Sequence, residues 1–128
     1  MTSLGIVLVT HVTEVSEGLV KLLREVAKDV DITVGAGLDE GQIGTSFERI
    51  QAAFDANSSD ELLVFYDLGS AKMNLEMVME FSDRPVHLYD TAFVESAYTA
   101  AALIQAGSSF DEIDQQLAPL KIKESHAT

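Results

Sequence analysis

The chain has 128 residues, with 21 acidic against 8 basic side chains for a net charge of −13, and 47% of it is hydrophobic. That length suits a single globular domain with a proper core, while the charge argues against coating a nucleic-acid backbone or adhering to an anionic membrane. The absence of cysteine excludes disulfide, iron–sulfur and thiol chemistry, and no apolar run approaches the roughly 20 residues that span a bilayer.

Residues 5–9, GIVLV, form a short continuous apolar run, the pattern of a strand buried on both faces in a parallel sheet. Thr10, His11, Val12 and Thr13 follow, and then Val15, Leu19, Leu22, Leu23 and Val26 recur at helical spacing. Glu14 and Glu17 are placed in the first turn of this helix, where carboxylates suit the dipole. Residues 30–34, VDITV, read as a second strand, followed by the glycine-bearing loop GAGLDEGQIGTS. Thr45 with Glu48 makes a capping-box pattern for a second helix, one side of which carries Phe47, Ile50 and Phe54.

The stretch NSSDE is a turn, and LLVFYD is the clearest strand, ending at Asp67. The loop LGSAKMN leads into a helix with Leu75, Val78 and Met79 on it, broken by Asp83, Arg84 and Pro85. VHLYD gives a fourth strand. An alanine-rich helix runs from about Phe93 to Ala106, Gly107 ends it, and a short helix covers Ser109 to Leu117. Residues 1–120 therefore read as one domain and 121–128 as a polar tail. Strands alternating with helices predict an α/β fold with an open, mostly parallel sheet and helices on both faces. The expected strand order begins 2-1-3-4.

In such a sheet, sites form beyond the carboxyl ends of the strands where the order reverses. That point lies between strands 1 and 3, so the topology brings together His11 and Asp67, 56 positions apart in sequence. A neutral imidazole is a competent nucleophile. A carboxylate accepting its Nδ1–H would fix the tautomer, leave the Nε2 lone pair open and stabilise charge developing on the ring. Gly44, Thr45 and Ser46 open one helix, and Gly69 and Ser70 precede another, so their N–H and hydroxyl groups offer an anion cradle. Nucleophile, orienter and cradle together point to phosphoryl transfer through phosphohistidine. Each piece alone also has a plainer use: a strand-end histidine facing solvent, an aspartate capping a helix, ordinary loop chemistry.

His87 within the fourth strand reads as a packed or surface side chain, and His126 as part of the tail. No metal site is expected, since there is no cysteine and no close histidine pair on a helix. A receiver domain would need an acidic pair where Thr10 and His11 stand. A flavodoxin would need aromatic surface that these loops lack, and no G-x-x-x-x-G-K-[ST] loop is present.

GIVLVTHV with the following EGL, then IGTS, YDLGSA and AFVESAY, resemble the mannose-type EIIA family. Within it they resemble the phosphocarrier subunits of phosphotransferase-system-dependent dihydroxyacetone kinases. The likeness runs from about residue 4 to residue 107. It implies that His11 is the phosphorylated residue and that Asp67 is the carboxylate beside it. Gly44, Thr45, Ser46, Gly69 and Ser70 fall in the loops that line the phosphate. It further implies a phosphoryl donor, HPr, and an acceptor, ADP held on the nucleotide-binding kinase subunit. No cofactor is then needed on this chain, which is expected to be a cytoplasmic homodimer supplied by external HPr. Many relatives read SHS where this chain reads THV, so Val12 removes a hydroxyl but keeps its backbone N–H. An EIIA of a mannose-type sugar transporter and a non-catalytic regulatory module of the same fold are the alternatives.

Overall fold

Side-chain alternation on the central strands builds the molecule from the middle outward. In the computed structural model, which describes residues 2–123, strand β1 (Leu4–Thr10) is buried from Gly5 to Thr10. Its even-numbered Ile6 and Leu8 face one core and its odd-numbered Val7 and Val9 face another, the period-two rule of a strand covered on both sides. Strands β2 (Ile32–Ala36), β3 (Glu61–Tyr66) and β4 (Val86–Tyr89) complete a four-stranded sheet in the order β2-β1-β3-β4. All its pairings are parallel, so the expected class and strand order both hold.

Helices α1 (Thr13–Arg24), α4 (Phe93–Gln105) and α5 (Phe110–Leu117) cover one face through Leu19, Leu23, Ala97, Ala100, Ala101, Ile113 and Leu117. The alanines let α4 come close to the strands. Helices α2 (Phe47–Ala56) and α3 (Lys72–Glu80) cover the other face through Ile50, Phe54, Leu75 and Val78. On α1 the expected apolar stripe is narrower than its spacing: Leu19 and Leu23 are buried, whereas Val15 and Leu22 are exposed. Glu14 lies in the first turn, but Glu17 falls beyond it because α1 starts at Thr13.

Polar side chains fasten the connections. The NSSDE turn is a clamp as well as a turn, with Asn57 Nδ2 donating to the carbonyls of Ile6 and Asp31 at 3.0 and 3.3 Å. Arg84, in the helix-breaking segment, donates to the carbonyls of Phe54, Asn57 and Ser59. His87 packs on the ring of Phe110 and its Nε2 lies 2.5 Å from Glu61 Oε2. Residues 121–123, read from the sequence as the start of a tail, run against the fold through an antiparallel bridge between Thr91 and Lys121. His126 lies outside the described residues.

Gly35 sets the approach of α2 to the sheet. A Cβ there would sit 2.9 Å from Ile50 Cα and 3.0 Å from the Arg49 carbonyl oxygen, both backbone atoms that cannot rotate away. Gly35→Ala is expected to push α2 outward and to cost about 1–3 kcal/mol. Urea denaturation measures the loss, and an unchanged midpoint would show that α2 is not seated this closely.

Candidate functional site

The handover from β1 to α1 is a tight turn. Thr10 is buried, and its Oγ1 donates to the Val12 carbonyl at 2.8 Å. Val12 keeps extended backbone angles at the N-cap of α1 and provides no side-chain cap. His11 is thereby held between strand and helix. Its backbone N–H donates to Asp67 Oδ2 at 2.9 Å, and its carbonyl accepts from Gly44 N–H at 2.9 Å.

The ring is held at both nitrogens. Nδ1 lies 2.8 Å from Asp67 Oδ1, and Nε2 lies 2.7 Å from Ser70 Oγ. Asp67 Oδ1 also accepts from Leu68 N–H at 2.7 Å. A carboxylate only accepts, so the geometry assigns the proton to Nδ1 and leaves the Nε2 lone pair facing the Ser70 hydroxyl. The His11 and Asp67 side chains are 15% and 16% exposed, enough to be reached from outside yet mostly withdrawn from water.

The five loop residues are distributed unequally. Ser70 touches the ring. Gly44 touches the backbone of His11 instead. Thr45 faces Asn74, whose Nδ2 donates to the Thr45 carbonyl at 3.3 Å and to its Oγ1 at 3.2 Å. Ser46 caps α2, accepting from Arg49 N–H at 3.1 Å. The capping residue is thus Ser46, one position beyond the Thr45 expected from the Thr45–Glu48 pattern. Gly69 begins a single 3-10 turn before α3 and has open space around it.

Three groups near the strand ends were not singled out in the sequence. Asn74 stands one helical turn past Ser70, a spacing that could have pointed to it. Lys72 is buried, with Nζ 3.1 Å from Asp90 Oδ1, and the Tyr66 hydroxyl donates to the same Asp90 oxygen. Burial, together with this bond, pushes the Tyr66 phenol well above its usual range. Lys123 reaches the carbonyls of Tyr66 and Thr91, which a reading of its segment as a polar tail gave no way to find. Large apolar side chains stand exposed beside the site in sequence: Ile43 before Gly44, Leu68 after Asp67 and Met73 after Lys72. Among the described residues, no group of three or more histidines and carboxylates is placed to hold a metal, and no helix is long and apolar enough to cross a membrane.

An all-parallel sheet ordered 2-1-3-4, with a histidine and a carboxylate paired across its switch point, is consistent with the α/β fold of the mannose-type EIIA class. The family model described as "PTS system fructose IIA component" matches residues 5–114, and the chain belongs to that family. It is 47% identical over 119 residues to the "PTS-dependent dihydroxyacetone kinase, phosphotransferase subunit DhaM" of Lactococcus lactis, covering 93% of this chain and 97% of that one. It is 40% identical over 119 residues to the "PEP-dependent dihydroxyacetone kinase 1, phosphoryl donor subunit DhaM" of Listeria innocua, covering 93% and 96%. The Escherichia coli phosphoryl donor subunit is 27% identical over 118 residues, which make up 85% of this chain but 25% of that longer one. A crystal structure of a protein described as of unknown function shares the fold, with a TM-score of 0.81 at 23% identity over 96% of this chain and 98% of that one.

The tautomer assignment has a direct check. In nitrogen-15 spectra of the ring, His11 should show Nδ1 protonated and Nε2 bare at a pH where it is neutral. Asp67→Ala, which removes the acceptor facing Nδ1, should mix the two tautomers. A ring that keeps one tautomer in that variant would show that Asp67 does not set it.

Proposed function

We propose that the chain is the phosphoryl donor subunit of a phosphoenolpyruvate-dependent dihydroxyacetone kinase. In this reading, His11 takes a phosphoryl group from the phosphohistidine of HPr and hands it to ADP bound on the nucleotide-binding subunit. The observation that carries the reading is the ring itself: one nitrogen fixed by a carboxylate, the other presenting its lone pair at the carboxyl edge of the sheet. The names of the Lactococcus and Listeria relatives support the kinase over a sugar transporter.

In this scheme the chemistry runs in two steps. The Nε2 lone pair attacks phosphorus, the bond from phosphorus to the donor's ring nitrogen breaks, and that electron pair returns to the donor ring. The His11 ring gains positive charge as the new bond forms, and the Asp67 carboxylate against Nδ1–H stabilises it. In the second step an oxygen of the ADP β-phosphate attacks, the Nε2–P bond breaks, and its electron pair returns to His11. ATP forms on the partner, so this chain needs no cofactor of its own.

The loops have distinct parts in this scheme. The Ser70 hydroxyl turns from Nε2 to a phosphoryl oxygen, and Gly69 lets the phosphoryl group approach the backbone. Gly44 anchors the His11 carbonyl, while Thr45 and Ser46 hold the loop and the start of α2 around it. The exposed Ile43, Leu68 and Met73, which flank site residues in the sequence, offer apolar surface to the protein partners. A cytoplasmic location and a homodimer complete the proposal.

Intact-mass measurement after incubation with phosphoenolpyruvate, enzyme I and HPr tests it. The parent chain should gain one acid-labile phosphoryl group and His11→Ala none. A folded parent without the adduct would leave only a binding module of this fold. The net charge of −13 should also steer basic partner surfaces. Raising salt from 0.05 to about 0.5 M, which shortens the screening length severalfold, should therefore slow transfer from HPr. A rate indifferent to salt removes the steering.

A further inference from the structure

The carboxylate that holds the His11 ring sits on a peptide unit gripped from two sides. Its N–H, that of Asp67, donates to the Val9 carbonyl of β1 at 3.1 Å. Its C=O, that of Tyr66, accepts from Lys123 Nζ at 2.7 Å. The ladder between β3 and β4 ends at the Phe65–Tyr89 pair, so the Tyr66 carbonyl lies beyond the last registered pair. The ammonium of Lys123 supplies a donor there and bonds the Thr91 carbonyl at 2.8 Å as well. It thereby bridges the chain leaving β3 to the chain leaving β4.

Lys123 is itself fixed. Its backbone N–H and that of Ile122 both donate to the Asp90 carbonyl, at 3.1 and 3.2 Å. Its Nζ also lies 4.2 Å from the centre of the Tyr66 ring, within cation–π range. We propose that Lys123 is a positioning residue of the phosphoryl-transfer site: by clamping the peptide that carries Asp67, it fixes the carboxylate that orients the His11 ring. The proposal rests on the carrier reading and adds a residue to it.

Electrostatics agree with the geometry. Burial pushes the Lys123 ammonium below its usual range, while the charges of Asp67 and Asp90 push it the other way. The ammonium is thus within the field of Asp67. It offsets part of the negative charge that an incoming phosphoryl group meets at this strand end. Asp90 also faces Lys72 and the Tyr66 hydroxyl, so the Lys123 charge is one part of a polar cluster beneath the site.

Lys123→Met, Lys123→Gln and Lys123→Arg, in the full chain, separate positioning from mere support of the fold. Transfer from phosphorylated HPr is measured at saturating and sub-saturating donor, alongside ring nitrogen-15 spectra of His11. Lys123→Met should lower the saturated rate about 10- to 100-fold, the range for removing a group that orients a reacting one. The half-saturating donor concentration should stay within twofold and the ring tautomers should mix. Lys123→Arg, which keeps both charge and donors, should restore most of the rate. If the methionine variant does not fold, Lys123→Gln carries the same test with one donor group retained. A folded methionine or glutamine variant with the parent's rate, or a slowed one whose ring keeps a single tautomer, overturns the proposal. Failure of the parent to take up phosphate at His11 would instead end the carrier reading, while the tautomer spectra would still report on Lys123.

Discussion

The contact between His11 and Asp67 is the constraint around which the carboxyl edge of this molecule is arranged. One carboxylate accepts three hydrogen bonds, from the His11 ring, the His11 backbone and the Leu68 backbone. Charged hydrogen bonds of this kind are short and strong, and with both oxygens engaged the carboxylate has little freedom left. The contact depends on β1 and β3 being neighbours in register, with Val9 beside Tyr66, so that His11 and Asp67 emerge together. That adjacency in turn needs β2 placed outside β1 and β4 outside β3, which is the switch in strand order.

The cations of this acidic chain are engaged mainly in its own construction. Arg24, Arg49, Arg84 and Lys123 donate to backbone carbonyls where strands and helices end, and the buried Lys72 pairs with Asp90. Planar guanidinium groups suit this work because several donors diverge from one centre. The basic side chains thus satisfy carbonyl oxygens that regular structure leaves over, and much of the carboxylate charge remains at the surface. The acidity outside and the ordered loop connections inside are two results of one allocation of charge.

The layout was legible because local and global signals agree. Buried parallel strands give continuous apolar runs, amphipathic helices give 3.6-residue spacing, and their alternation limits the topology. Asp67 could be set beside His11 from that alone. The finer division of labour in the loops was not legible. Ser46 rather than Thr45 caps α2, and Gly44 supports the His11 backbone, because the hydrogen-bond partners of a loop depend on approach distances that a sequence does not state. Lys123 was hidden for a different reason. Its segment has no apolar periodicity, and it is ordered by bonds to Asp90, Tyr66 and Thr91, which are distant in the chain.

A carrier, unlike an enzyme that converts one substrate, has to be a good nucleophile in one step and a good leaving group in the next. Both demands fall on one ring nitrogen, which in the proposed scheme forms the bond to phosphorus with one partner and releases it to another. In the same scheme Asp67 would contribute to both through the charge it stabilises on the ring, which rises toward the phosphorylated state and falls on discharge. Too strong a hold would trap the phosphoryl group and too weak a hold would slow its capture. A carboxylate shared between the ring and two backbone N–H groups sits between these limits, because part of its charge is already satisfied before the phosphoryl group arrives. The same geometry would keep water from an N–P bond in the proposed scheme: the ring is largely withdrawn from solvent, and a docked partner would close the remaining access during transfer.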